Sequence, residues 1–163
     1  MKRLILGLGN DLLTDDGIGI YIAGQLKSEI WEADIICSAD SGFGLLDHMM
    51  GYDQVILIDS IITGKTDIGG VHHFSSSDFS QHVPFSIHST DIISILEYSR
   101  KCGFSVPDKI EFLAVEIEDN QTFKESFSDS VESRKNLIVQ NIRSHINNIF
   151  NSHIPELVVG QND

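Results

Sequence analysis

The stretch LILGLGNDLLTDDGIG, residues 4–19, changes its period halfway along. Leu4, Ile5, Leu6 and Leu8 form an apolar run broken by Gly7 and Gly9, which reads as a buried strand. From Thr14 onward the spacing differs: Ile18, Ile22, Leu26 and Ile30 recur every four residues, one face of an amphipathic helix. Thr14 suits the cap of that helix, and acids just after it complement the helix dipole. A strand, a glycine turn and a helix in that order open an α/β sheet with parallel strands. The turn is unusual in carrying Asp11, Asp15 and Asp16.

The rest of the chain repeats the alternation. ADIICSA reads as a second strand, GLLDHMMGY as a short helix, and QVILIDSII as a third strand, apolar on both faces as in a covered parallel sheet. GGVHHFSS follows a glycine-rich turn and reads as an edge or antiparallel strand. Ser86 or Ser89 can cap the helix in STDIISILEYSRKCG, which Gly103 can end. DKIEFLAVEIE is a further strand, and an acidic, solvated loop follows to about residue 130. A last helix is expected over residues 131–150, with Ile138, Ile142, Ile146 and Ile149 on one face. The expectation is an α/β fold: three layers, αβα, around a mainly parallel, twisted sheet of about five strands. One domain spans residues 1–150, and residues 151–163 form a tail.

Composition excludes several function classes. The chain has 163 residues and a formal net charge of -13, which repels phosphate backbones and argues against nucleic acid. No apolar run approaches membrane-spanning length, and no signal-peptide cleavage pattern follows the start, so a cytoplasmic protein is expected. Cys37 and Cys102 lack C-x-x-C spacing and the density of a disulfide scaffold. Cys37 reads as a buried strand thiol and Cys102 as a residue at a helix end. Neither lies in a nucleophile motif, and no Ser-His-Asp or Cys-His constellation is apparent.

What ligand suits a glycine turn lined with carboxylates? A dinucleotide fingerprint needs a third glycine where Leu12 stands, a P-loop needs a lysine that is absent, and the acids oppose a pyrophosphate. Judged alone, Asp15 and Asp16 are helix-dipole partners, worth about 0.3–1 kcal/mol each. Asp59, however, closes the apolar run Val55-Ile56-Leu57-Ile58 at the carboxyl end of a central strand, where ligands collect in such sheets. His88, in FSIHSTD, stands where a helix begins, a place that favours the neutral, metal-binding imidazole. Asp16, Asp59 and His88 can therefore converge as a partial shell for a divalent transition metal, with positions left for substrate or water. Here the turn's glycines would let the backbone approach the ligand. Asp11 and Asp15 read as capping or supporting residues. His72 and His73 adjoin on a strand and face opposite sides. His48, His82, His145 and His153 show no partner pattern and are expected in solvent.

The opening LGLGNDLLTDDGIG, with VILIDSIITG, SIHSTDIISIL and the late FSDSV before a final helix, resembles the hydrogenase maturation endopeptidases over residues 4–150. Those enzymes trim the large subunit of nickel-iron hydrogenases. The resemblance implies a phosphorylase/hydrolase-like fold, and an endopeptidase that removes a C-terminal peptide from the nickel-loaded large-subunit precursor. It implies metal-binding and catalytic roles for Asp16, Asp59 and His88. The nickel would arrive with the substrate, and other divalent metals can substitute in the empty site. A monomer docking transiently on the precursor is expected. The family's Asp-Gly-Gly-Thr-type turn after the second strand, implicated in precursor contact, is altered here: SADSGFGLLDHM keeps Asp40, Ser41, Gly42 and Gly44 without a threonine. That departure leaves the hydrogenase substrate open. A nickel-binding accessory protein of the same fold, without peptidase activity, is the alternative reading. Peptidyl-tRNA hydrolases open similarly, but their Arg-His-Asn stretch is missing and the acidity opposes tRNA.

Overall fold

A computed structural model describes residues 1–76 and 92–152. The apolar runs become five strands: β1 (Arg3–Leu8), β2 (Asp34–Ser38), β3 (Gln54–Ile61), β4 (Val71–Ser75) and β5 (Lys109–Glu116). They form one sheet in the order β2-β1-β3-β5-β4. β1, β2, β3 and β5 run parallel, and β4 is an antiparallel edge strand on β5. All eight residues of β3 are buried, as its unbroken apolar run predicts for a strand covered on both faces.

Helices cover the two faces separately. α1 (Ile18–Leu26) packs with α5 (Lys135–Asn151) over a core that includes Ile5, Ile56, Ile58, Leu113 and Val115. α2 (Phe43–Met49) and α3 (Ile92–Lys101) pack over Leu4, Leu6, Val55, Leu57 and Phe112. Residues of alternating parity on β3 thus enter different cores, as the two-residue repeat of a strand requires. Among the described residues, no helix is long and apolar enough to cross a membrane.

Two helix boundaries differ from the periodicity. α1 ends at Leu26, yet Ile30 still packs in the same core after a turn in which its amide bonds the Leu26 carbonyl. The last helix is broken: a short α4 (Asp129–Glu132), capped by Ser128 Oγ accepting from the Val131 amide, precedes α5. The cap starts a turn that apolar spacing alone does not reveal. Gly103, at φ 82°, ends α3 as expected, with the Phe104 amide reaching back to the Ser99 carbonyl. The candidate caps Ser86 and Ser89 lie outside the described residues.

The glycines of the opening stretch serve close packing. A Cβ on Gly19 would stand 2.3 Å from the carbonyl oxygens of both Leu8 and Ile58, so the start of α1 lies directly on the backbones of β1 and β3. On Gly9 it would stand 2.1 Å from the Asp16 carbonyl oxygen.

Candidate active site at the carboxyl ends of the central strands

β1 lies between β2 and β3, so the strand order reverses between β1 and β3, and the crevice of such a sheet lies at their carboxyl ends. This is where such sheets place ligands. Asp16 comes to it from a 3-10 turn, Thr14–Gly17, and Asp59 from the end of β3. Both are 3% exposed.

Ser60 joins them. Its Oγ donates to Asp16 Oδ1 at 2.8 Å, while its backbone N–H donates to Asp59 Oδ1, also at 2.8 Å. The arrangement follows from strand geometry: neighbours on β3 point to opposite faces, so Ser60 reaches toward α1 while Asp59 points to the other side. Asp16 Oδ2 accepts from the Asn10 amide at 2.9 Å, which ties the carboxylate to its own turn. Two buried carboxylates at one strand edge need compensation by donors, protons or a cation. Neither Ser60 nor Asn10 was singled out in the sequence. The adjacency of Ser60 to Asp59 was the available signal, but its partner, Asp16, is distant in sequence.

The third expected ligand, His88, lies outside the described residues, as do His82 and His153. Among the described residues, no group of three or more His, Cys, Asp or Glu side chains is disposed to hold a metal ion.

Thr14 has a tertiary partner in place of the expected capping role, and Asp15 takes a supporting role. Thr14, at φ 29°, is not the cap; its Oγ1 donates to the Thr122 carbonyl at 2.7 Å. Asp15 is fully buried, and its Oδ1 accepts from the Ser128 amide at 2.7 Å. Backbone bonds from Thr14 to the Lys124 carbonyl, from Asp15 to the Asp119 carbonyl and from Lys124 to the Leu12 carbonyl complete the seam. The acidic loop expected to float in solvent is therefore stitched to the opening turn, although much of its surface is exposed. These are long-range backbone pairings, which composition does not report.

The segment after β2 forms a second polar cluster. Asp40 Oδ2 accepts from Ser38 Oγ at 2.7 Å and from His48 Nε2 at 2.7 Å. His48 is half-buried and partnered, contrary to the expectation of a solvent histidine. The Ser38 hydrogen bond, with that of His48, holds the Asp40 carboxyl below its ordinary range. Serine and histidine share one aspartate oxygen here, whereas nucleophile activation requires the histidine between the other two. The cluster clasps the loop and does not form a hydrolytic triad. Gly42, at φ 58°, turns the chain into α2, Gly44 donates to the Ser41 carbonyl at 3.2 Å, and a Cβ on Gly44 would press on Asp40 Cβ at 3.2 Å.

His72 and His73 face opposite sides, as expected: His72 Nε2 meets Glu116 Oε2 at 2.8 Å, and His73 Nε2 meets Glu111 Oε2 at 2.9 Å. His145 bonds the Asn141 carbonyl and stands edge-on to His73. Burial pushes the Glu116 carboxyl up, but hydrogen bonds from the Thr63 hydroxyl, the Thr63 and Gly64 amides and His72 outweigh it and hold the group at about 2. That carboxylate anchors the segment leaving β3, just beyond Asp59. Cys37 is half-buried and directs its thiol to the Ile20 carbonyl at 3.6 Å, and Cys102 is exposed; both are free.

The fold and crevice define an α/β protein with an acidic site at the point where the strand order reverses. Residues 21–145 match the family described as hydrogenase maturation protease. The chain belongs to that family. It is 29% identical over 107 residues to the hydrogenase 2 maturation protease of Escherichia coli strain K12, a match that covers 61% of this chain and 65% of that relative's length. Its fold is similar to that of the hydrogenase maturating endopeptidase HybD from E. coli, with TM-score 0.71, 24% identity, and 91% of this chain and 93% of the other covered. The nickel-iron hydrogenase maturation protease HybD from Thermococcus kodakarensis gives TM-score 0.67 and 24% identity, over 89% of this chain and 99% of the other.

Proposed function

We propose that this chain is an endopeptidase that removes a C-terminal peptide from the nickel-loaded large-subunit precursor of a nickel-iron hydrogenase. Family membership supports the reaction class. The observation that carries the site is the pairing of Asp16 and Asp59 through Ser60 at the carboxyl ends of β1 and β3.

In this reading the nickel is part of the substrate. Asp16, Asp59 and His88 complete its coordination, so only a loaded precursor is held with its scissile bond at the crevice. A metal so placed polarises the scissile carbonyl or lowers the pKa of the attacking water. Ser60 and Asn10 keep the Asp16 carboxylate oriented while it binds. Asp40, Ser41, Gly42 and Gly44 contact the precursor from the neighbouring loop. The enzyme works as a monomer in the cytoplasm, without nucleic acid or membrane as partners.

The deciding experiment is the intact mass of a candidate precursor after incubation with the protein, nickel-loaded and nickel-free in parallel. Loss of a C-terminal peptide from the loaded form alone is expected. Asp16→Ala, Asp59→Ala and His88→Ala should each reduce that cleavage at least 100-fold, the scale of losing a group that acts in the transition state. A folded triple variant that still cuts refutes the assignment. Binding of nickel without cleavage of a verified cognate precursor moves the protein to the accessory class.

A further inference from the structure

The opening turn has two working sides. Asp16 faces Ser60 and the end of β3, whereas Asp11, Thr14 and Gly17 line a cavity of about 400 Å³ beside it. Ile20, Tyr21 and Phe127 also line it, with the two aromatic rings edge-to-face at 5.5 Å between centroids. These three are only partly exposed, while Asp11, Glu125 and Glu132 are exposed, so an apolar interior meets a carboxylate rim.

One cation already uses this wall. Lys135 Nζ pairs with Glu132 at 2.5 Å and stands 5.7 Å from the centroid of the Tyr21 ring. That satisfies one of the three rim carboxylates. Asp11 and Glu125 have no hydrogen bond or ion pair from their side chains among the described residues. The rim therefore keeps a net negative charge over an apolar and aromatic interior.

We propose that this cavity is a recognition pocket for one lysine or arginine side chain of the polypeptide substrate, a proposal that rests on the endopeptidase reading above. A long cationic side chain matches both halves of the pocket: its aliphatic stem covers Ile20, Tyr21 and Phe127, and its charged head meets Asp11 and Glu125. An anionic side chain is repelled, and a purely apolar one leaves the rim unmatched. Thr14 and Gly17 flank Asp16 in the chain, so a peptide seated at the crevice passes within reach of this pocket. The pocket thus reads the sequence of the precursor, and the Asp16 side of the turn reads its metal.

The test uses the full chain and a nickel-loaded cognate precursor. The isosteric double variant Asp11→Asn/Glu125→Gln is expected to raise KM at least fivefold at low salt, with kcat within twofold and an unchanged unfolding midpoint. Exchanging each Lys or Arg near the cleavage region of the precursor for Met, one at a time, should identify one position that gives the same rise. With that substrate the double variant should cause no further rise. An unchanged KM, a fall confined to kcat, or additive effects with every substrate variant overturns the pocket. Failure of the wild-type protein to cut any loaded precursor counts instead against the endopeptidase reading. The pocket is then judged by binding alone: N-acetyl-arginine amide should shift the NMR resonances of Tyr21 and Phe127 in the wild type but not in the double variant. Absence of a wild-type shift overturns it.

Discussion

Ser60 holds two carboxylates with two different groups, its hydroxyl and its amide, and alanine at this position removes the hydroxyl alone. Ser60→Ala leaves Asp16, 3% exposed, without that donor. The expected loss of stability is about 1–3 kcal/mol, the cost of depriving a buried polar group of a partner, readable from urea unfolding. In the proposed site Ser60 orients Asp16, so Ser60→Ala should lower kcat about tenfold with little change in KM, on the order of 1.4 kcal/mol. Ser60→Thr, which keeps the hydroxyl, should restore most of the rate. Equal losses in the alanine and threonine variants would show that strand packing, and not the hydrogen bond, is responsible.

At the scale of elements, the decisive contact is that between α1 and the backbones of β1 and β3. It depends on the missing side chain of Gly19. A methyl group there would meet two backbone oxygens at 2.3 Å, and neither can move without displacing its strand. Gly19→Ala is therefore expected to destabilise the protein by about 3 kcal/mol or more, the upper end of overpacking effects. Gly24 is the internal control. It lies in the same helix, is exposed, and a Cβ there meets nothing within 4 Å. Gly24→Ala should stabilise by about 0.5–1 kcal/mol through helix propensity and a less free unfolded chain. Urea midpoints of the two variants moving in the same direction would contradict the packing described here. The seam between the opening turn and residues 119–128 belongs to this scale too. It holds the far wall of the cation pocket in place through Asp15 and Thr14.

Across the whole molecule, charge and one buried carboxylate oppose each other as pH falls. With a formal charge of -13 and a pI of about 4.7, self-repulsion relaxes between pH 7 and about 5. Glu116 acts below that. Its folded value of about 2 lies under the ordinary 4.5, so its contribution is present above 4.5 and is lost as pH falls toward 2. The linkage is worth at most about 3 kcal/mol, from the energy per pKa unit. Unfolding free energy should therefore hold or rise slightly from pH 7 to 5 and then drop between 4.5 and 2. Glu116→Gln should be less stable at pH 7 and show a shallower drop in that lower window. An identical acid limb in both proteins would remove Glu116 from this account.

Local periodicity in this chain was enough to place the strands, the helix faces and the antiparallel edge, because burial on one or both sides leaves a direct mark on residue type. The same reading put Asp59 at the end of a central strand and Asp16 in the turn that follows the first strand, the region where a parallel sheet collects ligands. Other features came only from tertiary structure: Ser60 bridging the two acids, Asp15 and Thr14 stitching down the acidic loop, and His48 clasped to Asp40. The opening glycines likewise turned out to fit a helix against strands. The physical reason is the same in each case. Burial pattern is a property of neighbours along the chain, whereas a hydrogen bond between distant segments depends on where the fold brings their donors and acceptors.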